Sequence, residues 1–144
     1  MEHTRVLGID YGSVRIGVSL SDPLGIIAQP LRTLVNNGEL WSNLQSIVSE
    51  HQVHLIVVGM PLNLKGQKGQ KAQEVDKFIE RLKQETACEV VVWDERFTSA
   101  IALQTLRTMG TKKSDRRKKG PVDSMAAAII LQSFLDSTKR SLSC

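Results

Sequence analysis

The chain has 144 residues, of which 41% are hydrophobic and 24% charged, and these values are typical of a globular protein. The length predicts a single domain over residues 1–144, with room for a hydrophobic core. We expect a cytoplasmic protein without membrane contact, because no apolar run approaches a membrane span and the N-terminus does not resemble a signal peptide. Cys88 and Cys144 have neither the spacing of a metal-binding or redox motif nor the pattern of a disulfide framework.

The positive charge of the chain is concentrated in one segment, residues 111–120. The formal net charge is +4, and this segment alone exceeds it, since only Asp115 opposes its six cations. Those cations are Lys112, Lys113, Arg116, Arg117, Lys118 and Lys119. Charge runs are often only solvated loops, but such local concentration predicts contact with a polyanion, and Arg15 and Lys65 are candidates to extend the surface. The segment has no aromatic residue, so we expect it to bind phosphates without base stacking or sequence preference.

The first part of the chain predicts three strands. Residues 5–10 form a nearly continuous apolar run, typical of a strand that is buried on both faces. A short turn with Gly12 leads to a second strand at 14–20, which we expect to run antiparallel to the first. Residues 26–34 are a candidate third strand, and Pro30 within it predicts a position at the sheet edge.

Helices and strands alternate in the rest of the chain, which predicts a mixed sheet with helices on both faces. In chain order, we expect a helix at about 39–51, a strand at 53–59, a helix through 72–82, a strand at 89–93, a helix at about 99–109 and a last helix opening at 121–123. We expect Ile101, Ala102, Leu106 and Met109 to face inward on the third helix, and Met125, Ala126, Ile129, Ile130 and Phe134 on the last. The alanines at 126–128 would allow the last helix to approach the sheet closely.

Acidic residues stand at the ends of these elements. Asp10 ends the first strand, Asp94 and Glu95 end the fifth, and Asp123 begins the last helix. Ligands of alternating α/β sheets bind at the carboxyl edge, so these acids converge if the first and fifth strands are parallel. Each acid alone is more often a cap or a surface ion pair, but three together favour a divalent cation, and oxygen ligands select Mg²⁺ or Mn²⁺. Asp94 and Glu95 point to opposite faces, and the pattern leaves open which one takes part.

Four segments of the chain resemble the YqgF/RuvX family. They are residues 8–18 (GIDYGSVRIGV), 58–63 (VGMPLN), 94–99 (DERFTS) and 122–127 (VDSMAA), and they follow in order over nearly the whole chain. The resemblance implies the α/β RNase H-like fold, with a five-stranded mixed sheet that is flanked by helices and whose first three strands form a meander. It implies a metal-dependent nuclease, in which the catalytic and metal-binding acids would be Asp10, Glu95 and Asp123. The motif therefore selects Glu95 over Asp94.

Members of this family are described as Holliday-junction resolvases and as nucleases that mature the 5′ end of pre-16S rRNA. Our first expectation is therefore a metal-dependent endonuclease that processes structured pre-16S rRNA with Mg²⁺ or Mn²⁺. The nearest alternative is a resolvase of branched DNA, which calls for a symmetric homodimer, so monomer and homodimer both stay open. A non-catalytic nucleic-acid-binding module would explain the basic segment but not the three acids. A further alternative is one half of a sugar or acetate kinase, but such a kinase would need a second lobe to enclose ATP.

Overall fold

The computed structural model describes residues 5–111 and 119–142, and within them five strands form one mixed sheet. The elements are β1 (Arg5–Asp10), β2 (Arg15–Ser21), β3 (Ala28–Val35), α1 (Leu40–Glu50), β4 (Val53–Met60), α2 (Gln70–Glu85), β5 (Glu89–Asp94), a 3₁₀ turn (Glu95–Phe97), α3 (Ala100–Thr111) and α4 (Lys119–Leu142). The strand order is β3-β2-β1-β4-β5. The first three strands are an antiparallel meander, and β1, β4 and β5 run parallel. The predicted mixed sheet is confirmed. The first and fifth strands run parallel, which is the condition under which the acids at their ends converge.

The third strand lies at the sheet edge, as Pro30 predicts. Proline has no N–H to donate to a ladder, so it is tolerated where no further strand pairs. The ladder between β2 and β3 shifts register between Val18 and Ser19, which makes Leu31 an extra, bulged residue.

This strand begins at Ala28, two residues later than the sequence predicts, because Asp22 holds the preceding residues in a turn. The Asp22 carboxylate accepts the backbone N–H groups of Ile26 at 2.7 Å and Ile27 at 2.8 Å. These hydrogen bonds, the one from Ile27 foremost, lower the pKa of Asp22. The N–H groups that would extend the strand are therefore already used.

Helices α1 and α2 cover one face of the sheet and bury its largest hydrophobic core. Leu7, Ile9 and Ile16 of the sheet are fully buried there, against Leu44 and Ile47 of α1. The α2 residues on this face are those that the sequence predicts, namely Ala72, Val75, Phe78, Ile79 and Leu82.

Helix α4 lies directly on the other face of the sheet, and glycine makes this possible. A Cβ added at Gly8 would clash with the Leu131 side chain, and one at Gly17 would clash with the Asp123 carbonyl. The Ser19 hydroxyl donates a buried hydrogen bond of 2.8 Å to the Ala127 carbonyl oxygen. The close approach that the alanines predict is confirmed. The helix begins at Lys119, ahead of Pro121, because the first turn has N–H groups without helical partners and tolerates proline.

The prediction of burial is wrong for two residues. Ile101 is 80% exposed and Met125 is 42% exposed, whereas Leu103 and Leu106 of α3 are buried. The reason is that α3 packs against α4, so its buried stripe follows the groove of that helix. The Met109 side chain is outside the described part. No helix within the described ranges is long and apolar enough to cross a membrane.

Candidate active site

Asp10 ends β1 at the carboxyl edge of the sheet. Alternation along the strand places it on the same face as Val6 and Gly8, which is the face that α4 covers. Its backbone neighbour across the antiparallel ladder is Gly17 of β2. Asp10 is half-buried, so solvent reaches this corner of the sheet.

Asp94 and Glu95 have different surroundings. Asp94 is the last residue of β5 and lies opposite Met60 of β4. Its carboxylate accepts the backbone N–H of Arg96 at 2.9 Å, and both of its oxygens accept the Arg96 guanidinium, with the shortest contact at 2.6 Å. The side-chain hydrogen bond from Arg96 is the main reason why the pKa of Asp94 is lowered. Asp94 therefore caps the 3₁₀ turn.

Glu95 enters that turn with its side chain on the opposite face, where only 9% of the residue is exposed. Its carboxylate lies over Gly59 of β4, because a Cβ at Gly59 would be 3.2 Å from Glu95 Oε2. The same Cβ would be 2.9 Å from the Ile130 side chain of α4. Gly59 thus leaves the space that Glu95 fills beneath α4. A glycine inside a buried strand signals such a close approach. The predicted strand ends at Gly59, whereas the observed strand continues to Met60 and makes Gly59 an interior position.

Asp123 lies in the first turns of α4, with its backbone carbonyl against Gly17. Its Oδ2 accepts a hydrogen bond of 2.8 Å from Nε of Arg15, the first residue of β2. Arg15, predicted to contact nucleic acid, therefore lies against one of the predicted acids.

The three acids Asp10, Glu95 and Asp123 thus share one edge and one face of the sheet. Asp10 and Asp123 both adjoin Gly17, and Gly59 beneath Glu95 directly follows Val58, the β4 partner of Ile9. Among residues 5–111 and 119–142, however, no three acidic, histidine or cysteine side chains are arranged to hold a metal ion. The Asp123 carboxylate is instead directed to Arg15. The donor set itself, three carboxylates on two strand ends and one helix start, fits a Mg²⁺ or Mn²⁺ ion.

Most of the predicted phosphate-binding cations lie outside the described residues, namely Lys112, Lys113, Arg116, Arg117 and Lys118. Lys119 is the first residue of α4. The basic segment therefore joins α3 to the helix that carries Asp123. Lys65 is exposed, and its backbone N–H donates to Asn63 Oδ1 at 2.9 Å within the loop after β4.

Comparison with known proteins identifies a family over almost the whole chain. A family model described as "RuvX: Holliday junction resolvase" matches residues 4–137. A relative from Acetivibrio thermocellus is 43% identical over 137 residues, which cover 92% of this chain and 96% of the relative. One from Geobacillus kaustophilus is 40% identical over 139 residues, covering 94% and 99%. Both carry the name "Putative pre-16S rRNA nuclease".

Solved structures show the same fold at low identity. The structure titled "T. thermophilus RuvC in complex with Holliday junction substrate" superimposes with a TM-score of 0.57 at 14% identity, covering 95% of this chain and 96% of that one. A Fowlpox virus resolvase in complex with Holliday junction DNA gives a TM-score of 0.56 at 8% identity, covering 94% and 99%. These similarities establish the RNase H-like fold that the sequence motifs imply. Together with the family model and the relatives, they lead to one conclusion: the chain belongs to the RuvX family.

Proposed function

We propose that this protein is a divalent-metal-dependent endonuclease that cleaves the 5′ extension of pre-16S rRNA in the cytoplasm. Relatives of that name, about as long as this chain and roughly 40% identical to it, support the substrate. The structural observation that carries the proposal is the placement of Glu95. Its carboxylate lies over Gly59, on the same edge and face of the sheet as Asp10 and Asp123.

In this proposal Asp10, Glu95 and Asp123 hold Mg²⁺ or Mn²⁺. When bound, such ions supply Lewis-acid activation of the attacking water and neutralise charge at the leaving oxygen. The protein contributes the positions of its carboxylates. The 3₁₀ turn positions Glu95, whose carboxylate occupies the space that Gly59 leaves. Arg15 orients Asp123 by its hydrogen bond to Oδ2.

Attraction of the substrate is assigned to the basic segment and to Arg15. Phosphate contacts of this kind add affinity without reading sequence, and they weaken as salt rises. Arg15 Nε donates to Asp123, and the remaining guanidinium donors of a side chain that is 36% exposed suit a phosphate oxygen beside the acids. As a single domain acting on one RNA strand, the protein needs no second copy.

Resolution of four-way DNA junctions is the second candidate, and the description of the matching family model favours it. This chemistry uses the same acids but requires paired cuts, and hence a homodimer with two sites. The two candidates therefore differ in substrate and oligomeric state.

The decisive experiment compares the parent protein with Asp10→Asn and Glu95→Gln on a 5′-extended pre-16S rRNA fragment and on a four-way DNA junction. Each reaction is run with Mn²⁺, with Mg²⁺ and with chelator. Asp76→Asn is the matched control, since Asp76 of α2 pairs with Lys68 of the preceding loop, away from the site. We expect metal-dependent cleavage of the RNA, lost at least about 100-fold in both site variants and kept in the control.

The other outcomes of this experiment each select a different function. Paired cuts in the junction alone identify a resolvase. RNA binding that persists in chelator, without cleavage under either metal, identifies a non-catalytic binding module. Titration of Mn²⁺ by calorimetry gives an independent readout, because loss of a ligand carboxylate weakens binding whether or not a substrate is cut.

A further inference from the structure

Phe97 is a large aromatic side chain that the fold leaves 69% exposed, two residues after the buried Glu95. A single exposed hydrophobic residue needs no explanation. Phe97 differs from an ordinary exposed residue in three respects: its backbone is held on several sides, its ring lies against the partly buried Trp93, and a polar groove opens beside it.

The 3₁₀ turn that carries Phe97 is fixed at both ends. The Asp94 carboxylate accepts the Arg96 N–H at its start, and the Thr98 N–H donates to the Glu95 carbonyl at 3.0 Å. The Ser133 hydroxyl of α4 donates to the Phe97 carbonyl at 3.2 Å. One turn therefore places Glu95 inward and Phe97 outward in a set geometry.

The Phe97 ring rests on Trp93. Their ring centroids are 5.7 Å apart with planes at 54°, and Trp93 in turn meets Phe134 edge-on, also at 5.7 Å. The Trp93 indole N–H donates to Thr98 Oγ1 and Ser133 Oγ, each at 3.2 Å. This series of rings anchors Phe97 to the core, which lowers the entropy that its ring would lose when it binds a flat ligand.

A groove of about 590 Å³ lies beside these rings, between α4 and the segment that links β5 to α3. Its walls carry hydroxyl groups of Thr98, Ser99, Ser133 and Ser137. Among the lining residues whose side chains the structure describes, Asp136 is the one that carries a charge. These hydroxyl groups and the Phe97 ring offer hydrogen bonds and a ring face to an uncharged planar group.

We infer that Phe97 and this groove form a binding subsite for an unpaired nucleobase of the substrate strand, next to the phosphate that the acids cleave. The inference rests on the proposed nuclease function. Base stacking on an aromatic face tolerates any sequence, and it complements the basic segment, which has no aromatic residue. A fully paired duplex has no base to offer, so this subsite favours single-stranded or looped RNA.

The test measures binding without cleavage, in chelator. The probe is a single-stranded RNA of about 12 nucleotides carrying the fluorescent base 2-aminopurine, which stacking quenches; a blunt duplex of the same sequence is the comparison. Phe97→Ala removes the ring, Phe97→Leu keeps an apolar side chain without a ring face, and Phe97→Tyr restores the face. Ile101→Ala is the control for an exposed hydrophobic residue outside the groove lining.

We expect Phe97→Ala and Phe97→Leu to weaken single-strand binding about tenfold and to lose the quenching, with little change on the duplex. Phe97→Tyr and Ile101→Ala should bind and quench like the parent. Equal affinity of Phe97→Ala and parent overturns the subsite, as does a parent that quenches nothing, or rescue by leucine. The binding assay contains no metal, so its result does not depend on cleavage. If binding depends on Phe97 but the protein never cleaves RNA with metal, the nuclease proposal is wrong and the base subsite is retained.

Discussion

Nε of Arg15 lies 2.8 Å from Oδ2 of Asp123, a hydrogen bond that spans 108 positions of sequence. It connects the start of β2 to the first turns of α4, directly beside the Gly17–Asp123 backbone contact. The pair holds one acid of the proposed site in place through its Oδ2 atom. Arg15 is thus a positioning residue as well as a candidate phosphate ligand.

Arg15→Gln should reduce RNA cleavage about tenfold or more while lowering the free energy of unfolding by less than about 1 kcal/mol, because the pair is partly exposed. Urea denaturation and cleavage rates at saturating Mn²⁺ measure the two effects. Lys68→Gln, which breaks an exposed 2.8 Å ion pair with Asp76, is the matched control and should leave cleavage unchanged. Parent-like cleavage by Arg15→Gln would remove Arg15 from the site.

Gly59→Ala should affect the site more than its small size suggests. The added methyl would lie 2.9 Å from Ile130 Cδ1 and 3.2 Å from Glu95 Oε2, so both side chains must shift. We expect a loss of about 1–3 kcal/mol in stability from overpacking. We also expect weaker Mn²⁺ binding by calorimetry, measured where the variant is fully folded, because the Glu95 carboxylate is displaced.

The control for this variant is Gly38→Ala. Apart from its chain neighbours, no atom in the described part of the protein lies within 4 Å of a Cβ at Gly38, so stability and Mn²⁺ affinity should stay near those of the parent. If Gly59→Ala binds Mn²⁺ as tightly as Gly38→Ala does, the Glu95 carboxylate over Gly59 does not bind the ion.

Asp94→Asn tests the role of Asp94 apart from that of its neighbour Glu95, and its effect on stability should depend on pH. The pKa of Asp94 is lowered in the folded protein, chiefly by the Arg96 hydrogen bond, so its ionised form stabilises the fold above its unfolded value of about 3.8. This contribution is lost as pH falls through the lowered folded pKa. The variant should therefore be less stable than the parent at pH 6, and the difference should shrink below pH 4 in acid-unfolding curves.

The same variant should still cleave RNA, since Asp94 caps the 3₁₀ turn, whereas the proposed site uses Glu95. Cleavage reduced as strongly by Asp94→Asn as by Glu95→Gln would show that the two acids act together, contrary to the assignment made above.

Local patterns in the sequence determined most of the elements. The five α2 residues at helical spacing are the five that the structure buries, and Pro30 lies on an edge strand. Such features depend on residues a few positions apart, and hydrophobic periodicity and backbone chemistry are local properties. Asp10 could likewise be placed at the carboxyl edge, because it ends an apolar strand.

Contacts between distant segments decided the rest. Strand alternation separates Asp94 from Glu95, but only the position of α4, seated on Gly8 and Gly17, shows which face carries Asp123. The same helix explains why Ile101 is exposed, since α3 packs against α4 and its buried stripe follows that surface. The Arg15–Asp123 bond and the exposure of Phe97 have no local signal at all, because each depends on how α4 meets elements that are remote from it in sequence.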